Sequence, residues 1–374
     1  MNSYSPFSTS PVSRRTALLG IAAGAVGLSL AGCGAARNVA EGEQKTYPDS
    51  ELLLVSTIHT ATNDYMQNWL TGSRAFAKHV NLPLRIVNSN LDSQQQYSQI
   101  QSAMATGKRV VVNLEPLASA DVPGVARSVA RNGGYVVSSW DKPDGIKPQD
   151  IGPSWVSHMG FDGVAAGEYT ATQLFEAMGG EGGIIALKGV LDSNASKQRY
   201  AGLEKALAAY PGISLLGSDS ANWDRQTAYT KTQTLLSRFA GKVNGIWAGS
   251  DSMTLGAVAA AESAGVQVKA VGIDGIQEAL KSVKTGGPIV ATWYSDGFYS
   301  GMIGLAIGHA AATGKLDVST MQPAQRDGTY SQFGVSRDSV DKYLKEPDYT
   351  SLMAELDKGL FNRLVGGPLP SVNS

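Results

Sequence analysis

The chain has 374 residues, a formal net charge of −1 at pH 7, 43% hydrophobic residues and a single cysteine. That length can bury one or two sizeable cores, and the near-neutral charge supplies no field to attract nucleic acid. One cysteine allows no internal disulfide, so packing alone must hold the fold.

The first element in chain order is a leader. Ser13-Arg14-Arg15 precedes an apolar run of small residues from Leu18 to Leu30, and Leu30-Ala31-Gly32-Cys33 closes it. The paired arginines match the positive segment of a twin-arginine export signal. The apolar run is too short to span a bilayer, which takes about 20 helical residues. Small residues ahead of Cys33 let a peptidase close on extended backbone, and the four residues resemble a bacterial lipobox. Residues 1–32 are therefore expected to be a signal peptide. Cys33 is expected to carry lipid and to hold the protein to the outer face of the cytoplasmic membrane. The leader contains Arg14 and Arg15 and no acidic residue, so its removal leaves a net charge of −3. Residues 33–50 hold Cys33 and a polar, Gly- and Ala-rich stretch that reads as a flexible tether. No later run approaches the ~18 consecutive apolar residues of a second membrane span.

From Glu51 onward, short β-branched runs alternate with amphipathic stretches. A first set of predicted strands is Leu52–Ser56, Leu84–Asn88, Val110–Leu114 and Tyr135–Ser139. A second set is Gly183–Leu187, Ile213–Gly217, Gly245–Ala248, Val268–Ile273 and Ile289–Thr292. Predicted helices between them include Asp64–Val80, Ser93–Ala105, Gly163–Met178, Lys197–Tyr210, Arg225–Phe239 and Met253–Ala264. This alternation is the rhythm of parallel α/β sheets, and the runs are apolar on both faces, as strands covered by helices on both sides must be. Two sets predict two similar Rossmann-like lobes, with Ser154–Met159 as the first crossing between them. The region from Asp338 to Ser374, with Pro347, Gly366, Gly367, Pro368 and Pro370, reads as a C-terminal extension wrapping a lobe.

Catalytic signatures are missing. There is no phosphate-binding Gly-x-x-x-x-Gly-Lys-Ser/Thr loop, no Gly-x-Ser-x-Gly elbow and no His-Glu-x-x-His pair. His59, His79, His158 and His309 are scattered, and each reads as a surface or core residue. No catalytic residue, metal or cofactor is expected. Ligands of parallel α/β sheets sit beyond the carboxyl ends of the strands, and those loops are polar and aromatic here. They carry Ser56, Thr57, Asn63, Tyr65 and Met66, then Glu115 and Pro116, then Trp140, Asp141 and Lys142. In the second set they carry Asn194 and Arg199, Trp223 and Asp224, Ser250 and Asp251, Asp274, and finally Trp293 to Asp296. Such residues suit a neutral polyhydroxylated ligand. A carboxylate accepts from two vicinal hydroxyls, a guanidinium donates two bonds in its plane, and aromatic rings cover apolar C–H faces. Asp224 and Asp251 each precede a helix and read equally as N-caps, Trp223 as a hydrophobic staple, and Trp247 as strand core.

The pattern Leu53-Leu54-Val55-Ser56-Thr57, Ser157-His158-Met159-Gly160-Phe161-Asp162, Arg199-Tyr200-Ala201-Gly202-Leu203, Trp223-Asp224-Arg225, Ser250 to Ala257 and Val271-Gly272-Ile273-Asp274-Gly275 resembles the type I periplasmic-type sugar-binding proteins, the ribose-binding kind in particular. The resemblance covers roughly Glu51 to Ser331. It implies two lobes joined by a three-strand hinge: 51–156 plus 294–328, and 157–293 plus 329–337, followed by the 338–374 extension. It also implies that Asp141, Arg199 and Asp274 make the main hydroxyl contacts, with Glu115 and Ser250 beside them. Tyr65, Met66 and Trp223 would sandwich the ring, and Asn63 and Ser295 would complete the contacts. Departures at Glu115, Lys142, Ser250, Ser295 and Met66 from the ribose-type pattern point to a differently shaped polyol, pentose or hexose.

By the same resemblance the protein is a monomer that delivers a monosaccharide or sugar alcohol to an ABC importer's permease, whose ATPase is a separate subunit. A ligand-sensing receptor for a membrane sensor kinase uses the same fold. A repressor of the lactose type needs an N-terminal helix-turn-helix, where this chain has an export leader. A glycosidase needs a carboxyl group with a raised pKa in an apolar pocket, which the sequence does not offer.

Overall fold

The computed structural model describes residues 42–345 and 348–358. The expected leader and the lipid-bearing Cys33 lie outside them, as does the end of the chain beyond residue 358.

The first half of the chain runs β1 (Leu52–Ile58), α1 (Asp64–His79), β2 (Leu84–Asn88), α2 (Ser93–Met104), β3 (Arg109–Leu114), α3 (Val122–Asn132), β4 (Tyr135–Ser139) and β5 (Trp155–Gly160). It continues as α4 (Gly163–Ala177), β6 (Gly182–Lys188), α5 (Asn194–Ala209), β7 (Ile213–Ser220), α6 (Arg225–Arg238), β8 (Val243–Ala248), α7 (Asp251–Ser263), β9 (Lys269–Asp274), α8 (Gln277–Thr285) and β10 (Ile289–Tyr294). The return consists of α9 (Gly297–Ala312), α10 (Pro323–Arg326), β11 (Asp327–Thr329), β12 (Phe333–Val335) and α11 (Tyr349–Asp357).

The strands form two six-stranded sheets, ordered β11-β5-β4-β3-β1-β2 and β12-β10-β9-β8-β6-β7. Every pairing is parallel except β10 with β12. The fold is therefore α/β, with two lobes that share one strand order and differ in the direction of the edge strand, β11 being parallel and β12 antiparallel. Because β1 is buried along its whole length, Leu52 to Val55 have helices on both sides and show no alternation. Helix α9 is apolar all round because it lies between the first sheet and α1. The two helices touch backbone to backbone: a Cβ on Gly301 would stand 1.9 Å from the Trp69 carbonyl oxygen, and one on Gly72 would stand 1.9 Å from that of Phe298.

From one sheet to the other the chain crosses after β5, after β10 and after β11. The first crossing falls about four residues later than the boundary expected at 156/157, and the other two at least one residue later than 293/294 and 328/329. The reason is strand pairing: Met159 and Gly160 stay bonded to their own sheet, as do Tyr294 and Thr329.

Two readings of the chain ends need correction. The described part of the expected flexible tether is docked on the first lobe. Gln44 donates to the carbonyls of Ala311 (2.8 Å) and Leu316 (2.7 Å) and accepts from the Val318 amide (2.8 Å). The Tyr47 amide donates to the Ala312 carbonyl at 2.8 Å. Its partners lie more than 260 residues away, so nothing local marks the segment as ordered. The described part of the C-terminal extension touches both lobes rather than one. Val340 is buried in the second lobe, whereas Tyr349 stacks on Phe298 of the first, with ring centroids 3.5 Å apart.

Candidate functional site

The loops after β1, β3 and β4 face those after β6, β7, β8 and β9 across a cleft. The first lobe contributes His59, Asn63, Tyr65, Met66, Glu115, Trp140 and Asp141 to its wall, and the second Ala195, Arg199, Trp223, Ser250 and Asp274. Of the residues expected at the site, only Ser295 stays off this wall; it sits behind Tyr65, its hydroxyl 3.4 Å from the tyrosine oxygen. Lys142 also turns away, toward Asp327 (3.4 Å) and the Ile146 carbonyl (3.0 Å).

Three residues of this wall have strained backbone. Trp140, Trp223 and Asp274 have φ of +69°, +63° and +134°, a region side-chain-bearing residues seldom occupy. Those conformations aim two indoles and a carboxylate at a common point. Trp223 fits because Gly189 and Gly249 flank its ring.

Arg199 is buried between the rings of Trp140, Phe161 and Trp223, with its guanidinium carbon 5.1, 4.9 and 5.1 Å from their centroids. One terminal nitrogen donates to the Gly249 carbonyl; Nε, although buried, has no partner among the described residues. Asp274 is 3.8 Å away, close enough for ionic attraction but too far for a good hydrogen bond. Burial drives both toward neutrality, raising the Asp274 pKa well above the usual carboxylate range and lowering that of Arg199, while their mutual attraction opposes this. Asp251 underpins the arrangement. Its carboxylate accepts from the Gly275 and Ile276 amides (2.7 and 3.0 Å) and from the Thr292 hydroxyl (2.9 Å), which ties down the turn bearing Asp274. Burial raises its pKa to about 6. The N-cap of α7 is thus Ser250, which accepts from the Met253 amide.

Asn63 and Asp141 do more than line the wall. Asn63 caps α1 through the Met66 amide (3.1 Å) and donates to the Trp223 carbonyl (3.0 Å) in the other lobe. Asp141 accepts from Ser119 in its own lobe (3.2 Å) and from the Ser193 hydroxyl (2.8 Å) and Ala195 amide (2.9 Å) at the start of α5. Burial raises the Asp141 pKa against the pull of these bonds. At the rim, the Thr62 hydroxyl donates to Asp224 (3.0 Å), which also caps α6, and Ser252 donates to Asp64 (2.9 Å). The lobes are therefore latched together on both sides of the cavity.

His59 is the residue that sequence reasoning set aside. Its Nδ1 lies 3.0 Å from Glu115 Oε2, and its buried Nε2 has no partner among the described residues. Trp140, placed in a strand-end loop but given no contact, also lines the cavity, with its indole N–H buried and unpartnered among the described residues. The usable signal was position: both residues directly follow a parallel strand of the first sheet. Among the described residues, no group of three His, Cys, Asp or Glu side chains could hold a metal ion, and no helix is long and apolar enough to cross a membrane.

The sequence profile described as periplasmic binding protein domain matches residues 55–316. The chain belongs to the periplasmic binding protein family. The xylitol-binding protein of Mycolicibacterium smegmatis is 30% identical over 326 residues, 86% of this chain and 85% of that one. The ribose import binding protein RbsB of Haemophilus influenzae is 28% identical over 238 residues, 64% of this chain and 77% of its own. Among solved structures, a twin-arginine translocation pathway signal protein from Burkholderia phytofirmans superposes with a TM-score of 0.78 at 33% identity, covering 85% of this chain and 98% of that one. The relatives of this binding protein are solute-binding proteins and not enzymes.

Proposed function

We propose that this binding protein captures one sugar alcohol or monosaccharide by closing its two lobes and delivers it to the permease of an ABC importer. The carrying observation is that three buried polar atoms, His59 Nε2, Trp140 Nε1 and Arg199 Nε, have no partner among the described residues and belong to side chains on the wall of one small cavity. A polyol offers each of them a hydroxyl, and a buried polar group without a partner is costly enough to reject ligands lacking one. Each lobe supplies part of the wall, so a bound ligand favours the closed form. The xylitol-binding and ribose-binding relatives support this ligand class. In this reading the chain is exported by the twin-arginine route and acts as a lipid-anchored monomer, held by Cys33 on the outer face of the cytoplasmic membrane. The ATPase is a separate subunit.

A thermal-shift screen of the protein against pentoses, hexoses and alditols tests the ligand class. A true ligand at 100 times its Kd stabilises by about 2.7 kcal/mol. Arg199→Met, which removes the caged cation, should weaken that ligand at least 100-fold. A screen without a hit, or unchanged affinity in the variant, would overturn the reading.

A further inference from the structure

We infer that His59, oriented by Glu115, is a ligand-contacting residue that accepts a hydrogen bond from an O–H group, so that this corner of the site selects an alcohol over a carbonyl or ether oxygen. The inference rests on the sugar or polyol reading and narrows it.

The two side chains come from different strand ends, His59 just after β1 and Glu115 just after β3, strands paired side by side in the first sheet. Both are about 95% buried and both line the cavity. The backbone of Glu115 is fixed by Thr57, whose hydroxyl accepts from the Glu115 amide (2.7 Å) and is 2.8 Å from its carbonyl; Gln96 donates to that carbonyl at 2.9 Å. The carboxylate is therefore held in place, and it sets the chemistry of the ring it faces. With Glu115 ionised its oxygens only accept, and the 3.0 Å contact then places a hydrogen on His59 Nδ1. In the neutral ring Nε2 is then a bare lone pair. That lone pair is buried and makes no bond within the described protein. A lone pair asks for a donor. An alcohol O–H supplies one, whereas a carbonyl or ether oxygen sets a second lone pair against it. The remaining unpartnered cavity groups, the Trp140 indole N–H and the Arg199 Nε–H, are donors and read the ligand in the opposite sense. The site is thus mixed: His59 demands a donor, the Trp140 and Arg199 N–H groups demand acceptors, and the Asp274 carboxyl on the same wall is open to a hydroxyl. An alditol, every oxygen of which is both donor and acceptor, satisfies it in any register. An aldose or ketose fits only with its carbonyl or ring oxygen turned away from His59.

The test uses the full chain and calorimetry with xylitol, ribitol and D-ribose. His59→Leu should weaken the tightest of the three about 10- to 100-fold. His59→Gln, whose amide oxygen can accept in the same region, should stay within about fivefold. Long-range 1H–15N spectra of the wild type should show His59 protonated at Nδ1 and bare at Nε2, with the Nε2 resonance moving when that ligand is added. Unchanged affinity in His59→Leu, or a ring protonated at Nε2, whether neutral or imidazolium, overturns the assignment. Should His59→Leu fail to fold, the spectra decide. If neither these three nor any pentose, hexose or alditol of the thermal-shift screen binds the wild type, the sugar or polyol reading falls and takes this inference with it; binding that is indifferent to His59 sinks this inference alone.

Discussion

Two glycines on opposite sides of one ring make a matched pair of perturbations. A Cβ on Gly189 would lie 2.1 Å from Cζ2 of Trp223, and one on Gly249 would lie 3.4 Å from its Cζ3. Carbon atoms pack at about 3.5–4.0 Å. Gly249→Ala therefore asks the ring for a few tenths of an ångström, while Gly189→Ala asks for well over one. The ring cannot slide that far and remain over Arg199, whose guanidinium is 5.1 Å from its centroid. A desolvated cation–aromatic contact is worth about 2 kcal/mol, and the cavity wall moves with it. Gly189→Ala should thus weaken ligand binding about 30-fold or more, and Gly249→Ala about threefold or less. Neither glycine has a positive φ, so backbone strain does not confound the comparison. Calorimetry gives the affinities, and tryptophan emission reports the displaced indole. Equal losses in the two variants, or a tight-binding Gly189→Ala, would refute the claim that Trp223 is held as a ligand-facing wall by the space those glycines leave.

Asp251 should give the protein a measurable pH dependence. Its folded pKa of about 6 lies above the ordinary 3.8, so the native state binds the proton more tightly and the resulting stability is lost as pH rises through 6. Asp251→Asn keeps the shape without the charge. Measured by urea unfolding, the wild type should gain about 1 kcal/mol over this variant between pH 8 and 5, and about 2 kcal/mol by pH 4; a pH-independent difference would show the carboxylate to be less burdened than its burial implies. Ser119→Ala removes a hydroxyl that donates to Asp141 and accepts from the Asn194 amide across the cleft at 3.0 Å. Loss of one such bridge, about 1 kcal/mol, should speed ligand release roughly fivefold while the lobes stay folded, and an unchanged release rate in stopped-flow would show the latch to be idle.

The latches also explain why two residues expected to touch ligand have other work. Asn63 and Asp141 stand on the cavity wall, yet their polar atoms already bridge the lobes. Closure and recognition therefore share side chains, and a substitution at either should disturb both. The Arg199–Asp274 pair is different: it lies within one lobe, and Arg199 keeps a donor unspent.

The sequence by itself determined the α/β alternation, the two lobes and which strand ends supply the site, because apolar runs, helix caps and loop composition are local properties of the chain. Glu115, Trp223 and Asp274 were legible for that reason: a residue at the carboxyl end of a parallel strand reaches the cleft whatever the details of packing. Tertiary structure decided what each side chain does there. His59 reads as an ordinary histidine until a neighbouring strand sets Glu115 3.0 Å from its ring. Asp141 reads as a hydroxyl acceptor until the second lobe brings the start of α5 against it. Ser295 lies one layer behind Tyr65, and Gln44 leaves the tether for a helix end more than 260 residues away. Hydrogen bonds of this kind join residues whose separation along the chain carries no record of their separation in space, so only the folded arrangement of the two lobes assigns them.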